Sequence, residues 1–170
     1  MRYRELLFVV LTASAPCLSH AADAPAMAVF EELKTLVGNW RLTEAGKSTS
    51  VEVKLIANGS TLVETWTMSP TRRSMTVYTM DGDRLLATHY CPQGNAPRLV
   101  YTQTDDSRAH HFAFLDGANL QNPEGAHEHA FWIRKGPKGA LTRNEVYISN
   151  GAKYDPAKDV GTTETFSRVD

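Results

Sequence analysis

The residues whose types and spacing are best suited to binding or chemistry lie in two extended segments of the chain. In LLATHYC, His89 and Cys91 are two positions apart, and side chains at this spacing project to the same face of a strand. HEHAFWI repeats the spacing with His127 and His129. Imidazole and thiolate groups bind zinc, copper or iron, and they also hydrogen-bond to organic ligands. The sequence therefore predicts a common interior lined by three histidines and one thiol.

Two charged residues are candidates for the same interior. Glu64 alternates with Leu62 and Trp66 in a segment that is apolar on both faces, so the pattern allows Glu64 to point inward or outward. An inward Glu64 needs a proton or a partner such as Arg98 or a histidine. Arg98 either binds a carboxylate or phosphate of a ligand or forms a salt bridge at the rim. The predicted ligand-binding set is His89, Cys91, His127, His129, Glu64 and Arg98.

The same histidines define an alternative function, a metal- or haem-binding protein with His89, His127 and His129 as candidate ligands. The close C-x-x-C or H-E-x-x-H spacing of a metal motif is missing from the sequence, so no cofactor is identified. The chain also lacks a G-x-S-x-G motif, and we predict no catalytic residue. Enzymatic activity stays open as part of this alternative. A structural or interaction domain without a cavity is a further alternative.

The elements that position these residues are short extended runs separated by turns. Most runs alternate apolar and polar residues, and Asn58-Gly59 and Asp81-Gly82-Asp83 are typical of tight turns. Apolar residues at helical spacing precede the first of these extended runs, and Gly38 suits a helix C-terminal cap. The sequence predicts an all-β fold: an antiparallel up-and-down β-barrel of about ten strands with a short N-terminal helix, a sandwich being the alternative. The predicted strands are 40–45, 49–58, 61–68, 73–81, 84–91, 98–104, 109–115, 127–135, 141–149 and 162–169, with a polar loop at 116–126.

The first 21 residues have the pattern of a secretory signal peptide. Arg2 and Arg4 precede a short apolar run, and Ser19-His20-Ala21 resembles a cleavage site. We therefore expect residues 22–170 to form a single barrel domain that is periplasmic or secreted. Cleavage would also remove Cys17, leaving Cys91 without a partner for an internal disulfide.

Composition restricts the partners of the mature chain. The sequence has 18 basic and 19 acidic residues, so it lacks the basic excess that binding to a phosphate backbone requires. No apolar run beyond the signal peptide is long enough to span a bilayer. We therefore expect neither a nucleic-acid partner nor a membrane span, and the sequence leaves the oligomeric state open.

The segment Gly38-Asn39-Trp40 resembles the Gly-x-Trp opening of lipocalins and their calycin relatives. The resemblance implies that a short helix closes one end of the barrel, that Trp40 fills its floor and that Arg168 on the last strand packs over Trp40. Ten strands are more similar to the fatty-acid-binding and nitrobindin-like members than to eight-stranded lipocalins. Nitrobindin-like proteins bind haem through a histidine near the C-terminal end, and this chain has no histidine after His129.

The segment THYC…GN-x-PR also resembles a group of uncharacterised exported bacterial proteins, which implies no activity. The resulting hypothesis is an exported, soluble barrel that binds a small, mainly hydrophobic molecule. Apolar faces that carry a few polar groups are typical of such pockets.

Overall fold

The computed structural model describes residues 24–120 and 125–169, and the predicted signal peptide lies outside these ranges. The strands form a closed antiparallel barrel in which neighbours along the chain are neighbours in the sheet, and the last strand pairs with the first. This confirms the predicted fold class. The elements are α1 (Ala24–Lys34), β1 (Gly38–Leu42), β2 (Ser50–Ile56), β3 (Thr61–Thr67), β4 (Arg73–Asp81), β5 (Arg84–Tyr90), β6 (Ala96–Thr102), β7 (His110–Ala118), β8 (His127–Lys135), β9 (Leu141–Ile148) and β10 (Thr162–Val169).

Helix α1 closes one end of the barrel. Its apolar face, including Phe30 and Leu33, is buried with the barrel core. The indole nitrogen of Trp40 donates a hydrogen bond of 2.8 Å to the carbonyl of Leu36, which fixes the connection between helix and first strand. The guanidinium of Arg168 lies 4.6 Å from the Trp40 ring centroid, and its Nη1 donates to the carbonyl of Val37. These contacts give Trp40 and Arg168 the positions predicted for them.

Gly38 has a different role from the predicted helix cap. The helix ends at Lys34, and Gly38 is the first residue of β1, with φ at +143°. A Cβ atom at this position would collide with the guanidinium of Arg168. Glycine suits this position because L side chains rarely adopt a φ near +143°, and a Cβ would also displace the Arg168 guanidinium that packs on Trp40.

The middle of the barrel is filled by aromatic side chains. The rings of Phe112 and Phe131 stack with centroids 4.5 Å apart, and the Tyr78 ring meets both of them edge-on. All three side chains are buried. The interior between the helix-closed end and this layer is therefore packed, which leaves the opposite, open end as the place for a ligand.

Two register shifts change how the strands approach the open end. One occurs between Arg98 and Leu99 on β6, and β7 continues to Ala118, into the segment predicted as loop. The other lies on β8 between Glu128 and Ala130. A bulge inserts one unpaired residue and changes which side chains face inward. Glu128 consequently points into the barrel, together with Phe131 further along the same strand.

In the described parts of the chain, the one α-helix is too short to cross a membrane.

Candidate functional site

An open cleft of about 340 Å³ lies at the end of the barrel opposite α1. Its walls come from the ends of β3, β4, β9 and β10 and from the turns that follow β1, β3 and β5. Most of the lining residues are charged or polar, and Trp66, Met68 and Pro92 supply apolar surface. The lining residues are Lys47, Thr49, Trp66, Met68, Arg72, Ser74, Cys91, Pro92, Gln93, Arg143, Glu145, Tyr147, Thr162 and Glu164.

Arg143 forms the floor of the cleft and the centre of a buried ion network. Its Nη1 donates to Glu64 Oε2 at 2.8 Å, its Nη2 to Glu128 Oε1 at 3.1 Å and its Nε to Glu145 Oε1 at 2.9 Å. Nη1 also donates to the hydroxyl of Tyr78 at 2.9 Å. Because β3 and β9 are not neighbours in the sheet, the pair between Glu64 and Arg143 crosses the barrel interior.

Aromatic packing holds the guanidinium of Arg143 in place. Its central carbon lies 3.9 Å from the ring centroid of Phe131 and 5.4 Å from that of Trp66. A planar guanidinium stacks on an aromatic face and still donates hydrogen bonds in its own plane. The hydroxyl of Tyr78 adds a further constraint, since it donates to Glu64 Oε2 at 2.8 Å. Aromatic packing thus positions the cation of the network, and the Tyr78 hydroxyl positions the Glu64 carboxylate.

The carboxylates of the network outnumber its cations. Glu64 and Glu128 are buried with Arg143, and Glu145 is partly exposed at the cleft. Burial raises the pKa of Glu64, although Arg143 and the Tyr78 hydroxyl oppose the rise. Burial also raises the pKa of Glu128 to about 8, again against the attraction of Arg143. One guanidinium does not compensate two desolvated carboxylates, so the network favours an additional proton.

His89 connects this network to the cleft. Its Nδ1 lies 3.0 Å from the hydroxyl of Thr76 and 3.5 Å from Glu128 Oε2, and its Nε2 lies 3.3 Å from the hydroxyl of Tyr147. Burial lowers the pKa of His89 to about 3, and the nearby charge of Arg143 contributes to the decrease. The imidazole is therefore neutral at physiological pH, with a proton on only one nitrogen.

The structure places Glu64 and His89 inside the barrel, and both join the Arg143 network. Leu85, Ala87 and His89 share the inner face of β5, as the alternation predicted. The partner of Glu64 is Arg143 together with Tyr78, whereas the sequence pointed to Arg98 or a histidine.

Cys91 lies just beyond the end of β5, at the edge of the cleft. Its backbone nitrogen donates to the carbonyl of Asn95, and its own carbonyl accepts from Gly94, which closes a tight turn. The side chain is half-buried and lines the cleft. Burial raises the pKa of the thiol, so Cys91 stays protonated at neutral pH.

His127 and His129 contact each other and not His89. His127 Nε2 lies 3.1 Å from His129 Nδ1, and the other ring nitrogen of His127 lies 2.5 Å from the carbonyl of Gly125. The ring of Phe114 packs on His127, and that of Tyr154 on His129. Both nitrogens of His127 are thus engaged within the protein, and the two histidines form a packed aromatic cluster.

The arrangement of the described side chains gives no support to metal binding, the alternative function. In residues 24–120 and 125–169, no group of three or more His, Cys, Asp or Glu side chains is arranged to hold a metal ion. We therefore assign no metal ligand among His89, His127 and His129.

Arg98 is not among the residues that line the cleft. It forms an exposed ion pair with Asp116 on the neighbouring strand β7. Of the two roles predicted for Arg98, the structure therefore contains the salt bridge.

Sequence reasoning missed the central residues Arg143, Glu128, Glu145 and Tyr147. In LTRNEVYI both faces of β9 are buried, so alternation alone did not identify an inner face. The spacing of Arg143, Glu145 and Tyr147 was the available signal, since residues two apart share one face of a strand. Glu128 could not be found in this way, because the register shift on β8 changes its face.

No protein-family model matches this chain, and no curated protein matches it significantly.

Proposed function

We propose that this protein binds a small amphipathic molecule in the cleft at the open end of the barrel. The observation that carries this proposal is a cleft of about 340 Å³ placed directly over a buried ion network. Pockets for small ligands begin at about this volume and combine apolar walls with a few fixed polar groups.

The cost of the network supports a role beyond packing. Arg143, Glu64 and Glu128 are buried, and their desolvation offsets much of the attraction between them. Apolar residues of similar size would fill the interior at least as well. Fixed hydrogen-bonding groups at the bottom of an open cleft are useful, in contrast, for orienting a ligand.

The lining favours an amphipathic rather than a mainly hydrophobic molecule. Trp66 and Met68 supply apolar surface on one side, and Glu145, Tyr147 and Glu164 supply polar groups on the other. A ligand with an apolar body and a polar end would satisfy both sides at once.

Binding can be tested with a probe before the natural ligand is known. The purified protein is examined by native mass spectrometry for a retained small molecule and is titrated with the fluorescent amphipath 1-anilinonaphthalene-8-sulfonate. We expect a retained species or saturable probe binding at one site.

Two serine variants locate the binding site. Ser74→Trp places a large ring in the cleft lining, whereas Ser167→Trp places it on the exposed outer face of β10. We expect Ser74→Trp to weaken binding by about tenfold or more, since displaced ligand contacts of roughly 1.4 kcal/mol correspond to that factor. Ser167→Trp should bind as the wild type does. A folded protein that binds nothing, or equal loss in both variants, would contradict the proposal.

Export and the calycin-like character of the barrel belong to the same proposal. Packing of Arg168 over Trp40 supports the calycin resemblance, and the apolar run after Arg2 and Arg4 supports export. Mass spectrometry of the protein produced with its leader tests export, because a periplasmic or secreted form should begin near Ala22.

A further inference from the structure

Three side chains connect the cleft to the buried carboxylates. Tyr147 lines the cleft, and its hydroxyl oxygen lies 3.3 Å from His89 Nε2. On the other side of the imidazole, Nδ1 lies 3.5 Å from Glu128 Oε2, and Glu128 Oε1 accepts from Arg143. The path from Tyr147 to Glu128 therefore passes through the two nitrogens of a single neutral imidazole.

The outer oxygen of Glu128 is the least satisfied atom of this path. Within the described parts of the chain, Oε2 is buried and makes no hydrogen bond of ordinary geometry. A proton on Oε2 would let it donate toward His89 Nδ1 and would remove one of the uncompensated negative charges around Arg143. The raised pKa of Glu128 agrees with a protonated carboxyl at neutral pH.

The Thr76 hydroxyl, 3.0 Å from His89 Nδ1, can donate or accept a hydrogen bond and so adapts to either tautomer. The protonation of Glu128 then determines which tautomer His89 adopts. If Oε2 carries a proton, Nδ1 is the acceptor and the imidazole proton is on Nε2. His89 then donates to the oxygen of Tyr147, and the Tyr147 hydroxyl proton is free to point into the cleft. If Glu128 is ionised, Nδ1 carries the proton, Nε2 accepts from Tyr147, and only the tyrosine oxygen lone pairs face the cleft.

We propose that Glu128 and His89 hold Tyr147 as a hydrogen-bond donor, so that the cleft selects a ligand that carries a carbonyl oxygen. This inference rests on the proposed function and narrows it to a ligand class. Tyr147 would contact the ligand directly, and His89 and Glu128 are positioning residues. Burial and the neighbouring carboxylates raise the pKa of Tyr147 itself, so it acts as a neutral donor.

Charged and titratable groups from four strands surround Glu128, and they set the pH at which Tyr147 stops acting as a donor. Arg143 favours the ionised carboxylate, whereas two other carboxylates favour the protonated form. The groups around Glu128 are Glu64 on β3, Tyr78 on β4, His89 on β5, and Arg143, Glu145 and Tyr147 on β9, with Cys91 at the end of β5.

The tautomer of His89 can be measured without any ligand. Nitrogen-15 NMR distinguishes the protonated from the unprotonated ring nitrogen in the wild type and in two variants. We expect the proton on Nε2 near pH 6 and on Nδ1 near pH 9.5 in the wild type. Glu128→Gln should keep it on Nε2 at both values, because the amide N–H replaces the carboxyl proton as donor. The control Glu52→Gln, on the outer face of β2, should behave as the wild type. A proton on Nδ1 near pH 6 would overturn the inference.

The ligand class is tested with two probes that differ in one oxygen. Acetophenone and ethylbenzene have similar shapes, and only acetophenone offers a carbonyl. Near pH 6 we expect acetophenone to bind the wild type about fivefold more tightly, the value of one neutral hydrogen bond. Tyr147→Phe should abolish this preference. Near pH 9.5 the wild type should lose the preference and Glu128→Gln should keep it.

The outcomes separate this inference from the proposed function. Equal binding of both probes at the cleft leaves the ligand site intact and overturns the preference for a carbonyl. Failure of both probes to bind, together with the absence of a retained species, counts against the ligand site itself.

Discussion

Replacement of Arg143 by methionine tests whether the buried ion network determines the stability of this barrel. Methionine fills a similar length of the interior but leaves Glu64 and Glu128 without their cation. In the wild type Glu128 already has a pKa of about 8, so Glu64 is the carboxyl that must newly take up a proton in the variant. Protonating a carboxyl with the ordinary pKa of 4.5 at pH 7 costs about 3 kcal/mol.

Loss of the contacts between Arg143 and Phe131 adds to this cost. We therefore expect Arg143→Met to lower the free energy of unfolding by about 3–5 kcal/mol at pH 7, as breaking a buried ion pair usually does. The effect should fall to about 1 kcal/mol near pH 4.5, because both carboxyls are then readily protonated and only the lost contacts with Phe131 remain. The free energy of unfolding of the variant therefore decreases as pH rises, because the pKa of Glu64 is higher in the folded state than in the unfolded state.

Urea unfolding followed by circular dichroism at the two pH values measures this difference. Arg134→Met is the matched control, since Arg134 packs on the outer-face residue Trp132 and makes no contact with the network. It should cost less than about 1 kcal/mol at either pH. The further substitutions Glu64→Gln and Glu128→Gln should restore most of the stability of Arg143→Met. A cost that is small at pH 7, or equal at both pH values, would refute the reasoning.

Three other predictions concern separate parts of the barrel. Gly161→Ala should destabilise the protein by about 2 kcal/mol or more, because φ is +70° and a Cβ would collide with the backbone of β9. Gly151→Ala should cost only about 1 kcal/mol, because its φ is similar but the space around it is open. Thermal unfolding of the two variants measures the difference. Arg168→Ala should lower the free energy of unfolding by about 1 kcal/mol through the lost contact with the Trp40 ring. Urea unfolding followed by circular dichroism measures this cost, and a cost near zero would show that the contact contributes nothing. Between pH 6.5 and 8 the free energy of unfolding of the wild type should fall as pH rises, because the pKa of Glu128 is raised on folding. Glu128→Gln should show a smaller decrease over the same range. Equal slopes for the two proteins in urea titrations would contradict the raised pKa of Glu128.

The fold followed from local signals in the sequence. Alternation and turn residues predicted ten strands, and the structure confirms the number and the antiparallel barrel. These features are local, because period-two burial and turn chemistry depend on residues close together in the chain. The β1–β10 pairing that places Arg168 over Trp40 was accessible only through a family resemblance.

The candidate site was only partly predictable. Alternation placed His89 correctly, and it left Glu64 undecided because both faces of its strand are apolar. Arg143 was overlooked, since an arginine in a polar run is usually exposed. The register shift on β8 was decisive for the rest: it turns Glu128 inward and separates His127 from His89. A single inserted residue is a tertiary feature that leaves no clear mark in one sequence.

Pairing of β1 with β10 has a consequence for how this chain must fold. Until β10 docks, β1 and β9 each present a row of unsatisfied backbone groups, and such edges recruit other chains. Trp40 and Arg168 meet only at that last step, at a sequence separation close to the whole length of the described chain. Completion of the barrel is therefore a non-local and slow event, and the half-assembled sheet is the species most exposed to aggregation.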